Sequence, residues 1–184
     1  PPPPPRPAFF FKAADAIRDR SVSRGVGDVY KSQDYVYSEI KYKNNTLYEM
    51  DDGYNGISPV IGFSSYGVGL EAWYMFSDKA ENKHGYESEL TAYGADLVGE
   101  APLSESFSVI VSIGLAKYTF KITQPNGWKY DQDVNGPRFG IGLQYEIIPH
   151  IALRTMFHYT SLNSGSTDFY DGVSEVSGGV RIIF

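Results

Sequence analysis

The chain has 184 residues, a formal net charge of −6, 42% hydrophobic and 21% charged residues, and no cysteine. That is one domain of ordinary size; its acidic balance argues against a nucleic-acid partner, which selects a basic surface, and disulfides, thiol catalysis and thiolate metal sites are excluded. The 15 Tyr, 11 Phe and 2 Trp beside 19 Gly exceed what a small soluble core needs.

Six of the 11 prolines fall in Pro1–Pro7, which predicts a polyproline II rod at the start of the chain. No basic segment, apolar run and small-residue cleavage site open the sequence, so the expectation is a chain that stays inside the cell or one already trimmed. Next, Phe9-Phe10-Phe11 leads into a stretch where Phe10, Ala13, Ala14 and Ile17 share one helical face and Lys12, Asp15 and Asp19 lie mostly on the other. A short amphipathic helix follows from that spacing. Ser21–Gln33 shows neither helical nor strand period and reads as a linker, so residues 1–34 form an N-terminal extension separate from a domain over 35–184.

From Asp34 the period is two, and it runs to the last residue. Strands are expected at Tyr35–Lys43, Ile57–Ser65, Val68–Ser77, Glu89–Gly99, Phe107–Lys121, Pro137–Ile147, Ile151–Leu162 and Val173–Phe184. Short links at Tyr66-Gly67, Glu100–Ser106 and Ile148-Pro149-His150 alternate with longer polar stretches at Asn44–Gly56, Asp78–Ser88, Ile122–Gly136 and Asn163–Gly172. Short turns at one end and long loops at the other are the grammar of an antiparallel up-and-down barrel in an outer membrane. No stretch approaches the roughly 18 apolar residues of a spanning helix, but a barrel strand needs only about 9 to 11 alternating residues.

The faces decide what surrounds the barrel. Phe139, Ile141, Leu143 and Tyr145 oppose Arg138, Gly140, Gly142 and Gln144; Leu153, Thr155 and Phe157 oppose Arg154, Met156 and His158; Val176, Val180 and Ile182 oppose Glu175, Ser177 and Arg181. One face is large and apolar, the other small or charged. A soluble barrel would have to pack the large face into an interior that eight strands leave only just wide enough for side chains. With lipid outside and small or paired polar groups inside, both faces are satisfied, so the expectation is an all-β, eight-stranded antiparallel up-and-down transmembrane barrel. Tyr42, Tyr74, Phe76, Tyr118, Phe120, Tyr145 and Tyr159 fall near strand ends, where rings favour the lipid–water boundary.

This register turns Glu39, Lys41, Glu71, Asp96, Arg138, Glu146, Arg154, Glu175 and Arg181 inward, with His158 nearby. Unpaired charge in so narrow a space is costly, so an ion-pair network that closes the barrel to solute is expected. A narrow porin is the alternative, disfavoured because open aqueous channels need wider barrels. Loops carrying Tyr48, Tyr54, Trp128 and Tyr130 are the expected sites of contact outside. At the other end, the proline rod and the Phe9, Phe10, Phe11 cluster would dock a periplasmic or envelope protein, or the barrel's own mouth.

Strands seven and eight, Ile151–Leu162 and Val176-Ser177-Gly178-Gly179-Val180-Arg181-Ile182-Ile183-Phe184, resemble the ends of small bacterial outer-membrane barrels of the opacity-protein and outer-membrane-protein-A-like group. The resemblance implies residence in the bacterial outer membrane, contact with its lipid, and recognition of the terminal Phe184 by the barrel-assembly machinery. An N-terminal extension of this length departs from that pattern. Separately, His158-Tyr159-Thr160-Ser161 followed by Glu175 is similar to the His-x-Ser and later Glu of the outer-membrane lipid A 3-O-deacylases, also eight-stranded. Here Thr160 rather than Ser161 shares the face of His158, so no catalytic residue is assigned. His84, His150 and His158 lack metal-ligand spacing, and the carboxylates of Glu49, Asp51, Asp52, Asp131 and Asp133 read as solvated loop groups, so no metal or cofactor is expected.

Overall fold

The computed structural model describes residues 27–42, 53–81, 87–124, 127–162 and 170–184. It contains β1 (Asp28–Tyr42), β2 (Gly53–Ser65), β3 (Val68–Ser77), a two-residue β4 (Ala80–Glu81), β5 (Glu87–Pro102), β6 (Phe107–Thr123), β7 (Lys129–Ile148), β8 (Ile151–Ser161) and β9 (Tyr170–Ile183). Every pairing is antiparallel. The long strands pair with their sequence neighbours, β3 with β5 past the short β4, and β1 pairs with β9, so the eight long strands close on themselves. Closure leaves none of these eight with an open edge, which is the condition for a sheet to exist in hydrocarbon.

Alternation sets which side chains enter. Along β3, exposed Val68, Leu70, Ala72, Tyr74 and Phe76 alternate with buried Gly69, Glu71, Trp73, Met75 and Ser77. The same phase exposes Val111, Ile113 and Leu115 on β6, Phe139, Ile141 and Leu143 on β7, and Leu153 and Phe157 on β8. A belt of apolar groups faces outward, and within its height the charged Glu71, Arg138 and Arg154 of those strands face inward. At one end the turns are tight: Tyr66 (φ 53°) and Gly67 (φ 80°) both take left-handed backbone, as a two-residue primed hairpin turn requires. The start of β1 and the end of β9 meet at that same rim, where the Phe184 amide donates to the Val29 carbonyl at 2.8 Å.

Two boundaries differ from the sequence reading. β1 begins at Asp28, so Asp28–Asp34 are strand rather than linker. Tyr30, Ser32 and Asp34 face inward there while Val29, Lys31 and Gln33 face outward, and polar residues on both faces hide the period. Likewise most of Ile122–Gly136 is not loop: β6 and β7 pair as far as Thr123↔Lys129, well past the first β7–β8 pair at Arg138↔Thr160. This hairpin rises above the apolar belt, and water on its outer face removes the reason for apolar residues there. The proline rod and the helix expected in residues 1–26 lie outside the described residues.

Ile141 lies in the middle of the apolar belt of β7. Ile141→Arg should destabilise the barrel by roughly 2 to 4 kcal/mol in urea titrations in lipid vesicles, the depth-dependent cost of a lipid-facing cation near the midplane. Full stability of that variant in a bilayer would contradict the outward assignment of this face.

Candidate functional site: the lumen and the outer rim

Three arginines organise the charged part of the lumen. Arg154 donates to both oxygens of Glu71, at 2.6 and 2.9 Å, and Arg181 donates to Glu71 Oε1 at 2.7 Å. The Tyr30 hydroxyl adds a fourth donor to Glu71 at 2.8 Å, and the Arg181 guanidinium lies 4.0 Å from the Tyr30 ring centre. Glu71 is saturated with donors. Towards the turn rim, Glu100 receives Gln144 Nε2 at 3.2 Å and Arg181 at 3.5 Å; deeper, Asp34 accepts from Ser32 and lies 3.9 Å from Arg154.

The second cluster sits further from the turns. Arg138 donates to Asp96 Oδ2 at 2.5 Å and to Glu175 Oε2 at 2.8 and 3.1 Å, with its guanidinium 4.1 Å from the Trp73 ring. Ser38 completes the Glu175 side at 3.5 Å. Such a cluster fits only where its neighbours are small. A Cβ on Gly114 would stand 2.1 Å from Asp96 Oδ1, and one on Gly62 2.3 Å from the Tyr30 ring. Towards the long-loop end the lumen turns apolar, with Ile40, Tyr54, Leu90, Phe120, Val134, Leu162 and Val173 packed together.

The structure therefore brings Glu71, Asp96, Arg138, Arg154, Glu175 and Arg181 into contact in the interior. It places the other three expected members differently. Glu39 and Lys41 face outward: β1 buries Val36, Ser38 and Ile40 instead, because the lumen at that height is apolar and the outer wall there stands beyond the lipid. Glu146 keeps the inward phase but is partly exposed at the turn rim, outside the two clusters. Asp34 and Glu100 were missed because one fell at a supposed linker boundary and the other at a supposed turn. Tyr118 and Phe120 are buried inside rather than at the lipid boundary, since their parity on β6 follows Ser108 and Ile110.

The outer rim is thinner in described residues. Phe9, Phe10, Phe11 and Tyr48 lie outside them. Tyr54 is no surface anchor; it points inward and its hydroxyl bonds Ser88 at 3.0 Å, because β2 starts at Gly53 and continues the inward alternation. Trp128, 74% exposed, and Tyr130, 53% exposed, stand at the tip of the β6–β7 hairpin. Just below, exposed Asp133 bonds Lys117 at 2.8 Å and Thr119 at 2.8 Å; the Lys117 hydrogen bond is the main reason its carboxyl sits below the usual range.

His158 and Ser161 do not form a catalytic pair. His158 is buried, Ser161 is exposed on the opposite face, and Thr160 is engaged with the Tyr118 hydroxyl at 2.9 Å. Glu175 is the cross-strand neighbour of His158, yet it bonds Arg138, and neither ring nitrogen of His158 has a hydrogen-bond partner among the described residues. No group of three His, Asp or Glu side chains suited to a metal ion occurs among the described residues.

A closed eight-stranded barrel with an apolar outer belt and a polar interior is a transmembrane β-barrel of the small outer-membrane class. Residues 20–184 match the family model described as outer membrane protein beta-barrel domain, and the chain belongs to that family, resident in the bacterial outer membrane. Similar solved structures include Neisserial surface protein A (TM-score 0.68, 17% identity, 85% of this chain and 97% of the other). The attachment invasion locus protein Ail of Yersinia pestis, solved with the heparin analogue sucrose octasulfate, gives 0.61 at 17% identity over 85% of this chain and 99% of its own. The N-terminal barrel domain of OprF from Pseudomonas aeruginosa gives 0.58 at 16% identity over 86% and 100%. At these identities the likeness is one of fold. No curated protein matches the chain.

Arg138 is the cation that bridges Asp96 and Glu175. Arg138→Met should therefore cost about 3–5 kcal/mol in detergent, the penalty for stranding buried charge, and adding Asp96→Asn with Glu175→Gln should recover most of it. Urea midpoints of the single and triple variants check this; a loss below about 1 kcal/mol for the single change would refute the coupling.

Proposed function

We propose that the chain is a non-enzymatic structural or surface-interaction barrel whose lumen passes no solute. The observation that carries this reading is the filling of the interior: arginine–carboxylate clusters in the lower part and an apolar plug above them. A solute would have to break charge-assisted bonds in a low-dielectric space and then displace packed aliphatic and aromatic groups. His158, without a hydrogen-bond partner among the described residues and with Ser161 on the other face, supports the non-enzymatic side.

Contact with the outside then falls to the rim. Trp128 and Tyr130 offer large rings at low entropic cost on a hairpin stiffened by β6–β7 pairing, the residue types that anchor interfaces. Phe184, 67% exposed at the opposite rim, is the group offered to the barrel-assembly machinery. The start of β1 lies beside that rim, at the periplasmic end, and there the proline-rich segment and Phe9–Phe11 would dock a periplasmic or envelope partner.

Planar-bilayer recordings should show no steady single-channel steps, and lipid A from cells expressing the chain should keep its acyl chains by mass spectrometry. Regular conductance steps would favour the porin reading, and loss of one acyl chain the deacylase. Deleting residues 1–20 should remove a cross-linked envelope protein; an unchanged set of co-purifying proteins would dismiss the docking role.

A further inference from the structure

The lipid-facing wall is not uniformly convex. Between β9, β1, β2 and β3 it carries a groove of about 660 Å³, lined by Ile182 and Tyr74 and, with the smallest outward side chains, by Pro59 and Ala72. A break in the ladder lies at Pro59. The β2–β3 register runs from Ile57↔Phe76 to Val60↔Trp73 and skips Ser58 and Pro59. Proline has no N–H to give to the ladder, which interrupts the pairing there.

Two long polar side chains stand on this part of the wall, beside the outward Pro59, Ile61, Ala72, Tyr74, Val180 and Ile182. Lys31 and Gln33 are both exposed on the outward face of β1, two residues apart, and both line the groove. Lys31 is the nearer to the turn rim, its ammonium 5.5 Å from the centre of the Phe184 ring. Gln33, cross-strand neighbour of Pro59, lies one side-chain step deeper, roughly 6.6 Å along the strand. A cation at the rim, a carboxamide one step in and an apolar notch beside it make an ordered series. It descends from charged to hydrogen-bonding to apolar.

We propose that this groove seats one glycerophospholipid of the periplasmic leaflet. Lys31 meets the phosphate, the Gln33 carboxamide donates to an acyl ester carbonyl, and one acyl chain lies in the notch over Pro59 and Ala72. Charge complementarity selects this occupant over a second barrel. Packing another apolar wall against the groove would remove Lys31 from headgroups and water and leave the Gln33 amide unpaired in hydrocarbon. A lipid of this chemistry satisfies both groups and fills the volume.

The test is native mass spectrometry of the full folded chain released from nanodiscs of ester-linked phosphatidylglycerol, or of its ether-linked analogue, which has no acyl carbonyl. Wild type should retain one ester-linked lipid per barrel and at least several-fold less of the ether analogue. Lys31→Glu, which repels the phosphate, and Ala72→Leu, which fills the notch, should each lower retention several-fold while heat-modifiable mobility confirms folding. Gln33→Leu should erase the preference for the ester. Equal retention by wild type and whichever of these variants folds would overturn the proposal, as would a retained second copy of the chain in place of lipid.

Discussion

The pairing of β1 with β9 is the interaction on which the rest depends. In hydrocarbon no water is available to an exposed amide, so a sheet survives there only if its first strand bonds its last. The ladder from Tyr30↔Ile183 to Tyr42↔Tyr170 closes the ring. It also fixes phase. Once Ser32 stands opposite Arg181 and Ser38 opposite Glu175, inward and outward faces are set for both strands, and the neighbouring ladders carry that choice round the barrel.

Phase creates the problem that the lumen solves. Eight strands enclose a space that side chains must fill, and inward positions are remote from bulk water. Below, the filling is ionic, with Arg138, Arg154 and Arg181 set among Asp34, Glu71, Asp96, Glu100 and Glu175. Above, it is apolar. Buried ion pairs contribute little net stability compared with well-packed apolar groups, but each is costly to break. Their consequence is specificity: a one-residue slip of β3 against its neighbours would turn Glu71 out to the lipid and leave Arg154 and Arg181 inside without it. The glycines follow from the same geometry, since Gly62 and Gly114 vacate the volume that Tyr30 and Asp96 occupy.

How legible this was depended on whether lipid or water bordered the outer face. β3 was readable to the residue, Val68 to Ser77, because one side meets hydrocarbon and the other the lumen, and only alternation satisfies both. The parity of β7, β8 and β9 identified Arg138, Arg154, Glu175 and Arg181 for the same reason. Where a strand leaves the membrane the contrast fades. Glu39 and Lys41 look like lumen charges beside Ile40, yet they are the outward groups, because the barrel there has water outside and an apolar plug inside. Lys129–Gly136 was hidden likewise, as a strand wet on the outside loses the apolar half of the signal, and Asp28–Asp34 because Lys31 and Gln33 place polar groups on its outer face opposite Ser32 and Asp34. Contacts between particular side chains, such as Tyr30 with Glu71, depend on strand stagger that no single strand encodes.

The same polarity inversion separates the roles of the two ends. Near the turns the wall is apolar outside and ionic inside, so both the lipid and the charge network restrain strand motion. Beyond the belt, β6 and β7 continue as a hairpin with Lys117, Thr119 and Asp133 on its surface, and their exposed pairings are weakly worth keeping. The stability of the barrel and the make-up of the exposed tip are thereby uncoupled along one pair of strands. Changes around Trp128 and Tyr130 alter what the tip presents without touching the closure or the arginines beneath it, and a rigid barrel is free to carry a changeable surface.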